Sequence, residues 1–357
     1  MSRLPSNFLR PLPADTLARV RDCYEVRFER DRQGREDWTE VGLSGPDGDG
    51  LNPGLFLDKF CPDATTLKKR EGLFYTAWKT MADGKPSGQA AALRERRAAL
   101  LASLDVPTRT LIGKVVWRMV IGLGNPNPLE TSLTLHPQYG VPIIPGSAVK
   151  GLARHGRLRE IGEEVGVYPL PFEAWERRTN ARPPQATPLE LLGGLLTTQP
   201  ADAEDKDRAK RFQELQQDDW VLKGEAAPKN AVTGLTLGDL TAQYGKDFRS
   251  AFGTTGRRGE VTFLDALPLP GWTYDLDVMT PHYGDYYGDR SNTVAPADWL
   301  EPNPITFLTI GKNSRFRFDV SGRDGALLDA VAGWLKKALT DLGTGGKTSA
   351  GYGEMQV

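Results

Sequence analysis

The sequence predicts an α+β protein with a ferredoxin-like (RRM-like) core, a helical region before that core and a large insertion after its first helix. Three observations support this fold class. Strand-like and helical segments follow one another in the order β–α–β–β–α–β over the last two thirds of the chain. Residues 325–342 carry apolar side chains at helical spacing. A Pro-rich, charged stretch at 161–250 interrupts the order after the first helix.

Residues 1–110 form a predicted N-terminal region that is irregular or helical. The first fifty residues are rich in Pro, Gly, Arg and Asp and show little periodicity. Residues 65–104 have a helical pattern that breaks near 83–87. We therefore expect two helices here, the second at 89–104.

Residues 111–160 form the first half of the predicted core. The segment 112–121 is β-branched and mostly apolar, which predicts a central strand. A helix is predicted at 148–158 with Ser147 as its N-cap, because a serine hydroxyl can accept hydrogen bonds from the first free amides of a helix. Lys150, Arg154 and Arg157 fall at helical spacing on one side of this helix.

Residues 161–250 are the predicted insertion, partly helical and most clearly so at 205–217. Residues 251–357 form the second half of the core. Strands are predicted at 259–267 and 272–279, followed by a long strand or hairpin at 304–320 with its turn at 312–314. The helix at 325–342 and a final strand at 352–357 complete the pattern.

Composition excludes several classes of protein. The chain has 357 residues, a formal net charge of −1, three histidines and two cysteines. Because these residues show no metal-ligand spacing, we predict no disulfide framework, no metal site and no cofactor. The first residues lack an apolar signal region and no apolar run approaches the length of a membrane span, so we predict a cytoplasmic protein without membrane contact.

Basic residues are segregated from acidic ones. Residues 131–159 contain no acid and include the bases of the predicted first helix. Residues 302–318 also lack acids and carry Lys312, Arg315 and Arg317. A local basic face on a nearly neutral protein suits an RNA-contacting subunit of a larger assembly, although charged runs also form ordinary solvated surfaces.

The helix-start motif (residues 135–154) is the first candidate site. Prolines fix the approach to the helix, and Lys150 lies one turn in, where its ammonium can meet an anion held at the helix N-terminus. One interpretation is contact with backbone phosphates, with His136 and Tyr139 beside it. The other is an N-capped helix with solvated bases.

The tyrosine segment (residues 278–288) is the second candidate. It contains His282, Tyr283 and Tyr286, and unstacked RNA bases pack on such aromatic faces. Tyrosines also anchor protein–protein contacts, so a protein interface is the alternative.

The glycine loop (residues 343–353) is the third candidate. Five glycines in this stretch indicate positive φ angles and a close approach by another group, for which a phosphate backbone or another subunit's backbone is the expected partner. Gly346, Lys347 and Thr348 match the end of a nucleotide-binding Walker A motif. The required earlier glycine is Asp341 and the helix precedes the loop, so we predict neither a nucleotide nor another small-molecule substrate. Gly343 fits a helix C′ position.

Together these segments resemble a known family. Residues 144–154 are similar to the first-helix motif of the RAMP superfamily of CRISPR proteins, and residues 345–353 to its C-terminal glycine-rich loop. Residues 279–287 resemble the corresponding segment of the sixth subunit of Cmr, the type III-B RNA-guided effector. The resemblance covers about residues 111–357, so the core is expected to have the RAMP form of the ferredoxin-like fold.

The resemblance implies a non-catalytic subunit that binds RNA and assembles with the backbone, capping and small subunits of the effector. It would contact the 3′ part of the crRNA, or the duplex of crRNA and target RNA. The candidate RNA-binding residues are His136, Tyr139, Ser147, Lys150, Arg154, Arg157, His282, Tyr283, Tyr286, Gly345, Gly346, Lys347, Thr348, Ser349 and Gly351. The alternative is a metal-independent crRNA-processing endoribonuclease of the same superfamily, with a histidine as base.

Overall fold

The computed structural model describes residues 25–30, 36–42, 88–125, 131–168, 186–197, 206–280 and 303–357. The predicted helix before residue 83 lies outside these residues. The described helices are α1 (Gly88–Ser103), α2 (Gly146–Glu164), α3 (Pro188–Leu196), α4 (Lys206–Gln217), α5 (Leu237–Gln243), α6 (Gly245–Phe252) and α7 (Gly325–Asp341). The described strands are β1 (Glu25–Arg30), β2 (Glu36–Gly42), β3 (Thr108–Val115), β4 (Thr262–Phe263), β5 (Leu267–Pro268), β6 (Tyr274–Met279), β7 (Ile305–Ile310), β8 (Arg315–Ser321) and β9 (Met355–Gln356).

The central sheet has the strand order β4-β8-β3-β9, and β5 also pairs with β8. All of these pairings are antiparallel. The longest pairing joins β3 to β8, with Ile112 opposite Arg317 and Lys114 opposite Arg315. Helices and antiparallel strands thus occur in one mixed structure, which confirms the predicted α+β class.

Helices α2 and α7 pack against each other and against the sheet. Gly156 of α2 allows this packing, because a Cβ there would lie 2.6 Å from the Cβ of Ala338. Helix α7 begins at Asp324, whose carboxylate accepts hydrogen bonds from the amides of Ala326 and Leu327. It buries Leu327, Leu328, Val331, Leu335, Ala338 and Leu339. The predicted helix at 325–342 therefore forms, and Gly343 follows it with a φ of 69°, as expected for a C′ glycine.

The first predicted strand is shorter than expected. Strand β3 ends at Val115, and the chain then bends and pairs again at Met119, whose amide donates to the carbonyl of Ile310 at 3.0 Å. The predicted strand 259–267 likewise divides into β4 and β5. The cause is Ala266, which leaves β8 to exchange two backbone hydrogen bonds with Ile144.

The predicted hairpin at 304–320 turns where expected, and Asn313 takes a φ of 67° in the turn. Its two strands have different partners, however, because β7 pairs with β6 and β8 with β3 and β4. The β6–β7 ribbon leads into residues 281–302, which lie outside the described part of the chain.

Helices α3 to α6 occupy the stretch predicted as an insertion. The predicted helix at 205–217 forms as α4, and α2 continues to Glu164 beyond its predicted end at 158. Leu192 of α3 and Phe248 of α6 are buried in the same hydrophobic core as α2 and the sheet. Burial of these apolar side chains joins the helical stretch to the sheet.

Candidate nucleic-acid interface

The start of α2 differs from the sequence prediction. The N-cap is Pro145, so Ser147 is the second helical residue and makes no side-chain cap, which corrects its predicted role. The amide of Gly146 instead donates to Oδ1 of Asp265 at 2.7 Å. The amides of Ala148 and Val149 donate to the carbonyl of Pro145. The chain itself therefore satisfies most of the helix-end amides that were expected to face a phosphate.

Gly146 is required by packing inside the protein. A Cβ at this position would overlap the backbone carbonyl oxygen of Phe263, so only glycine allows the helix to begin this close to β4. The side chain of Ser147 remains exposed at the surface, and that of Lys150 is half-buried. These two side chains are what the helix start presents to a ligand.

The other two predicted bases of α2 already have side-chain partners within the protein. The guanidinium carbon of Arg154 lies 5.3 Å from the ring centre of Phe248, and burial lowers the pKa of Arg154. Arg157 forms ion pairs with Glu160 at 3.2 Å and Glu164 at 3.1 Å. Both guanidinium groups are engaged by their own chain, so their predicted place on the RNA face stays a prediction without support from this geometry.

His136 and Tyr139 lie together in the turn before α2. Their ring centres are 4.8 Å apart, and Nδ1 of His136 accepts a hydrogen bond from the amide of Gln138 at 3.2 Å. Burial lowers the pKa of His136, and Arg97 lowers it further while Asp265 opposes the shift. The hydroxyl of Tyr139 accepts a hydrogen bond from Arg96 of α1. The structure thus engages both side chains in holding the turn.

The glycine loop contacts its own chain at three of its glycines. Gly345 has a φ of 92°, and a Cβ there would overlap the carbonyl oxygen of Val120. Gly353 has a φ of 76° and packs on the backbone of Thr344, and Gly343 packs on Gly353. The expected close partner of these glycines is therefore backbone within the protein.

The tip of the glycine loop remains open. Thr348, Ser349 and Gly351 are exposed, and a Cβ on Gly351 would meet nothing within 4 Å. Gly346 is half-buried, its amide donates to the carbonyl of Val120 at 2.8 Å, and Lys347 takes the left-handed conformation with a φ of 58°. The residues available to an external ligand are those of the tip.

Lys347 connects the glycine loop to the β6–β7 ribbon. Its Nζ lies 3.8 Å from Sδ of Met279 and 5.9 Å from the ring centre of Phe307. Met279 is the last residue of β6 before the tyrosine segment leaves the described residues. The glycine loop therefore supports the base of the tyrosine segment. His282, Tyr283 and Tyr286 themselves lie outside the described residues, so their placement is not assessed.

A charged network that the sequence did not predict also links the glycine loop to β6. Arg118 donates to Asp277, and it also donates to Oδ2 of Asp275 at 2.7 Å. The Tyr352 hydroxyl donates to the same Asp277 oxygen at 2.7 Å. The indole of Trp117, 44% exposed, packs 4.9 Å from the Tyr352 ring. These residues are far apart in sequence, and only the alternation of acid and apolar residues in 274–279 hinted at them.

The network shifts two pKa values in opposite directions. Burial alone would raise the pKa of Asp277, but hydrogen bonds from Tyr352, the Val278 amide and Arg118 outweigh it and hold that pKa below its ordinary value. Burial and the hydrogen bond to Asp277 raise the pKa of Tyr352 to about 12. The network is therefore most stable with Asp277 ionised and Tyr352 protonated.

A ladder of backbone hydrogen bonds brings the helix-start motif and the glycine loop together. Gly346 donates to Val120, Thr134 donates to Ile121, and Ile143 donates to Thr134. Ile143 stands three residues before α2. Backbone hydrogen bonds thus connect the two motifs through Val120, Ile121 and Thr134.

Among the described residues, no group of three or more His, Cys, Asp or Glu side chains could hold a metal ion. In the same part of the chain, none of the helices combines the length and apolar character needed to cross a membrane.

Comparison with protein families assigns most of this chain to one family. The model of the RAMP superfamily matches residues 108–356, from the first strand of the central sheet to the last. The chain belongs to the RAMP superfamily.

The chain is also similar to particular proteins. It is 33% identical over 260 residues to the CRISPR system Cmr subunit Cmr6 of Pyrococcus furiosus, a match that covers 67% of this chain and 64% of that protein's length. The crystal structure of Cmr6 from Pyrococcus furiosus aligns at a TM-score of 0.39 and 30% identity, covering 71% of this chain and 98% of the other. A cryo-EM structure of the type III-B Cmr-β bound to cognate target RNA aligns at a TM-score of 0.47 and 18% identity, covering 82% and 72% respectively.

Proposed function

We propose that this protein is a non-catalytic RNA-binding and assembly subunit of a type III-B CRISPR effector in the cytoplasm. It contacts the 3′ part of the crRNA, or the crRNA–target duplex, and packs against the backbone, capping and small subunits. The observation that carries the proposal is the convergence of two family motifs, the helix start and the glycine loop, on one backbone ladder. The choice of a Cmr effector as the assembly rests on the similarity of the chain to a Cmr subunit.

The central sheet supports the finer assignment of a ferredoxin-like core. Counted along the chain, β3, β4, β8 and β9 are the first, second, third and fourth strands of this unit. Their order in the sheet, β4-β8-β3-β9, is therefore second, third, first, fourth. Helix α2 follows the first of these strands and α7 follows the third, as in a β–α–β–β–α–β unit. The β6–β7 ribbon is then an addition between the second and third strands.

The RNA face proposed here is smaller than the set of residues predicted from the sequence. Ser147 and most of the loop tip are exposed and Lys150 is half-buried, whereas Arg154 and Arg157 are engaged by other side chains of the protein. Phosphate binding then uses one ammonium and the polar groups of the loop tip, with the neighbouring subunits supplying further cations. His136 has its Nδ1 occupied by an amide, which supports a structural role for it in place of catalysis.

We expect Lys150→Ala to weaken retention of guide RNA by the assembled effector. Loss of one phosphate contact lowers the slope of log affinity against log salt by about 0.7 to 0.9. The measurement is co-purification of the other subunits and guide RNA on this chain, followed by elution of the RNA with rising salt. The matched control is Lys336→Ala, which removes an exposed lysine from α7.

The proposal holds if the wild type retains intact guide RNA, Lys150→Ala releases the RNA at lower salt, and Lys336→Ala behaves like the wild type. It is wrong if the chain purifies without other subunits and without RNA. Equal salt slopes for both variants and the wild type would remove Lys150 from the RNA face.

A further inference from the structure

A row of cations lies on the side of the central sheet opposite its buried aromatic residues. In β3 and β8, Gly113, Val115, Phe316 and Phe318 are buried. Their neighbours alternate to the other side, so Lys114 stands beside Arg315, and Ile112 beside Arg317. Lys312 lies in the turn that precedes β8. We call Lys114, Lys312, Arg315 and Arg317 the basic strip.

The charges of the strip are mostly uncompensated. Within the described part of the chain, Lys114, Lys312 and Arg315 form no ion pair at 4.0 Å or less. Arg317 is bound to Asp319 at 2.9 Å. Lys312 and Arg315 are exposed and Lys114 is half-buried. Unpaired cations held in register on a rigid sheet make a site for a polyanion.

Two carboxylates, those of Asp319 and Glu354, lie close in the fold to the strip. Asp319 is 1% exposed and is enclosed by Thr110, Arg317 and Arg97 of α1. Glu354, before the edge strand β9, is exposed, and its carbonyl accepts a hydrogen bond from the amide of Val116. Among these residues one exposed carboxylate therefore stands against three unpaired cations, which leaves positive charge in excess.

The apolar residues of this face indicate which part of an RNA would be bound. Ile112, which is 51% exposed, lies on the side of β3 that carries Lys114, and Val116, which is 36% exposed, follows directly after β3. No aromatic side chain alternates to this side in β3 or β8, so bases have no ring on which to stack. The chemistry of the face fits phosphates and sugars, which bind without regard to sequence.

We propose that the basic strip is a second RNA contact, one that binds the phosphate backbone on the open side of the central sheet. This rests on the proposed function, since it requires that the protein meet RNA at all. The strip is continuous with the glycine loop, because β9 follows that loop directly and pairs with β3 at Lys114. An RNA strand that leaves the loop tip across this edge reaches the strip. An acidic surface of a partner protein is the rival occupant.

The test is titration of a fluorescein-labelled oligouridylate RNA with the purified full chain at several salt concentrations, followed by fluorescence anisotropy. The double variant Lys114→Ala/Arg315→Ala is expected to make the negative slope of log affinity against log salt shallower by about 1.4, or about 0.7 for each lost phosphate contact. The double variant Lys114→Arg/Arg315→Lys keeps both charges and is expected to keep the slope. Lys246→Ala/Lys336→Ala removes the same charge from exposed positions elsewhere and is the matched control.

Each result supports or overturns the proposal. The proposal is supported if only Lys114→Ala/Arg315→Ala has a shallower salt slope and its thermal unfolding is unchanged. If the strip variant keeps the wild-type slope while Lys150→Ala lowers it, the strip assignment is wrong and the proposed function stands. If the wild-type chain does not bind the RNA, the strip assignment is wrong, and the proposed function is then decided by the co-purification experiment on the assembled effector. If the strip variant binds RNA normally but no longer co-purifies with the other effector subunits, the occupant is an acidic protein surface and the RNA assignment is overturned.

Discussion

Replacing Gly353 by alanine is expected to lower the free energy of unfolding by about 3 kcal/mol. The residue has a φ of 76°, which an alanine adopts only with strain of about 1 kcal/mol. The added Cβ would also overlap the backbone of Thr344, which cannot move without breaking its hydrogen bond to Gly353. A backbone clash of this kind belongs to the severe class of substitutions, well above the typical cost of about 1 kcal/mol.

Gly351→Ala is the matched control for this prediction. Gly351 has a similar φ of 86°, but its Cβ would enter open space. We therefore expect a loss of about 1 kcal/mol from backbone strain alone. Urea denaturation of both variants measures the difference. Equal losses would show that the glycine loop does not pack on itself as described.

The substitution Asp277→Ala is expected to cost about 2 to 3 kcal/mol, because it leaves Arg118 and the Tyr352 hydroxyl without their shared acceptor. The side chains of Arg118 and Asp277 are 19% and 20% exposed, so solvent replaces the lost partner poorly. Asp275→Ala is the control. Asp275 is 38% exposed, and we expect its loss to cost about 0.5 kcal/mol.

The same network gives a pH dependence that Tyr352→Phe isolates. The pKa of Tyr352 is raised in the folded protein to about 12, whereas an unfolded tyrosine titrates near about 10. The folded state thus holds this proton more tightly, so its contribution to stability is full below about pH 10 and declines as the pH rises toward about 12. Phenylalanine has no such proton. The free energy of unfolding is therefore expected to fall more steeply between about pH 10 and pH 12 in the wild type than in Tyr352→Phe. Parallel curves for the two proteins would contradict the network.

Asp277 contributes in the opposite pH range. Its folded pKa lies below the unfolded value of about 3.9, so its contribution is present above about pH 4 and is lost as the pH falls through the folded pKa. Asp277→Ala is therefore expected to flatten the acid side of the stability curve. The acid part of the pH profile thus reports the Asp277 carboxylate, and the alkaline part reports the Tyr352 phenol.

The elements best predicted from the sequence are those fixed by local pattern. Helix α7 has a continuous apolar stripe and a capping aspartate, so its bounds agree with prediction within a residue or two. The end of β3 was not predictable in this way, because residues 116–121 are mostly apolar, like the strand before them. They leave the ladder to pair with Ile310 and with the glycine loop, which are distant in sequence.

The candidate site shows the same division between local and tertiary information. Glycine composition correctly indicated positive φ and close approach in residues 343–353, but which backbone approaches depends on the pairing of that loop with residues 118–121. Ser147 was predicted as the N-cap from its residue type, but Asp265, which lies between β4 and β5 and is distant in sequence, accepts the hydrogen bond from the first amide instead. Arg118 and Asp277 are 159 residues apart, so no spacing rule could join them.

Crosslinking of guide RNA in the assembled effector is the most direct test of the central claim. Ultraviolet crosslinking followed by mass spectrometry identifies which peptides of this chain touch RNA. The account predicts crosslinked peptides that contain Lys150 and the loop tip at 347–351. Crosslinks confined to other subunits, or to the α3–α4 side of this chain, would contradict it.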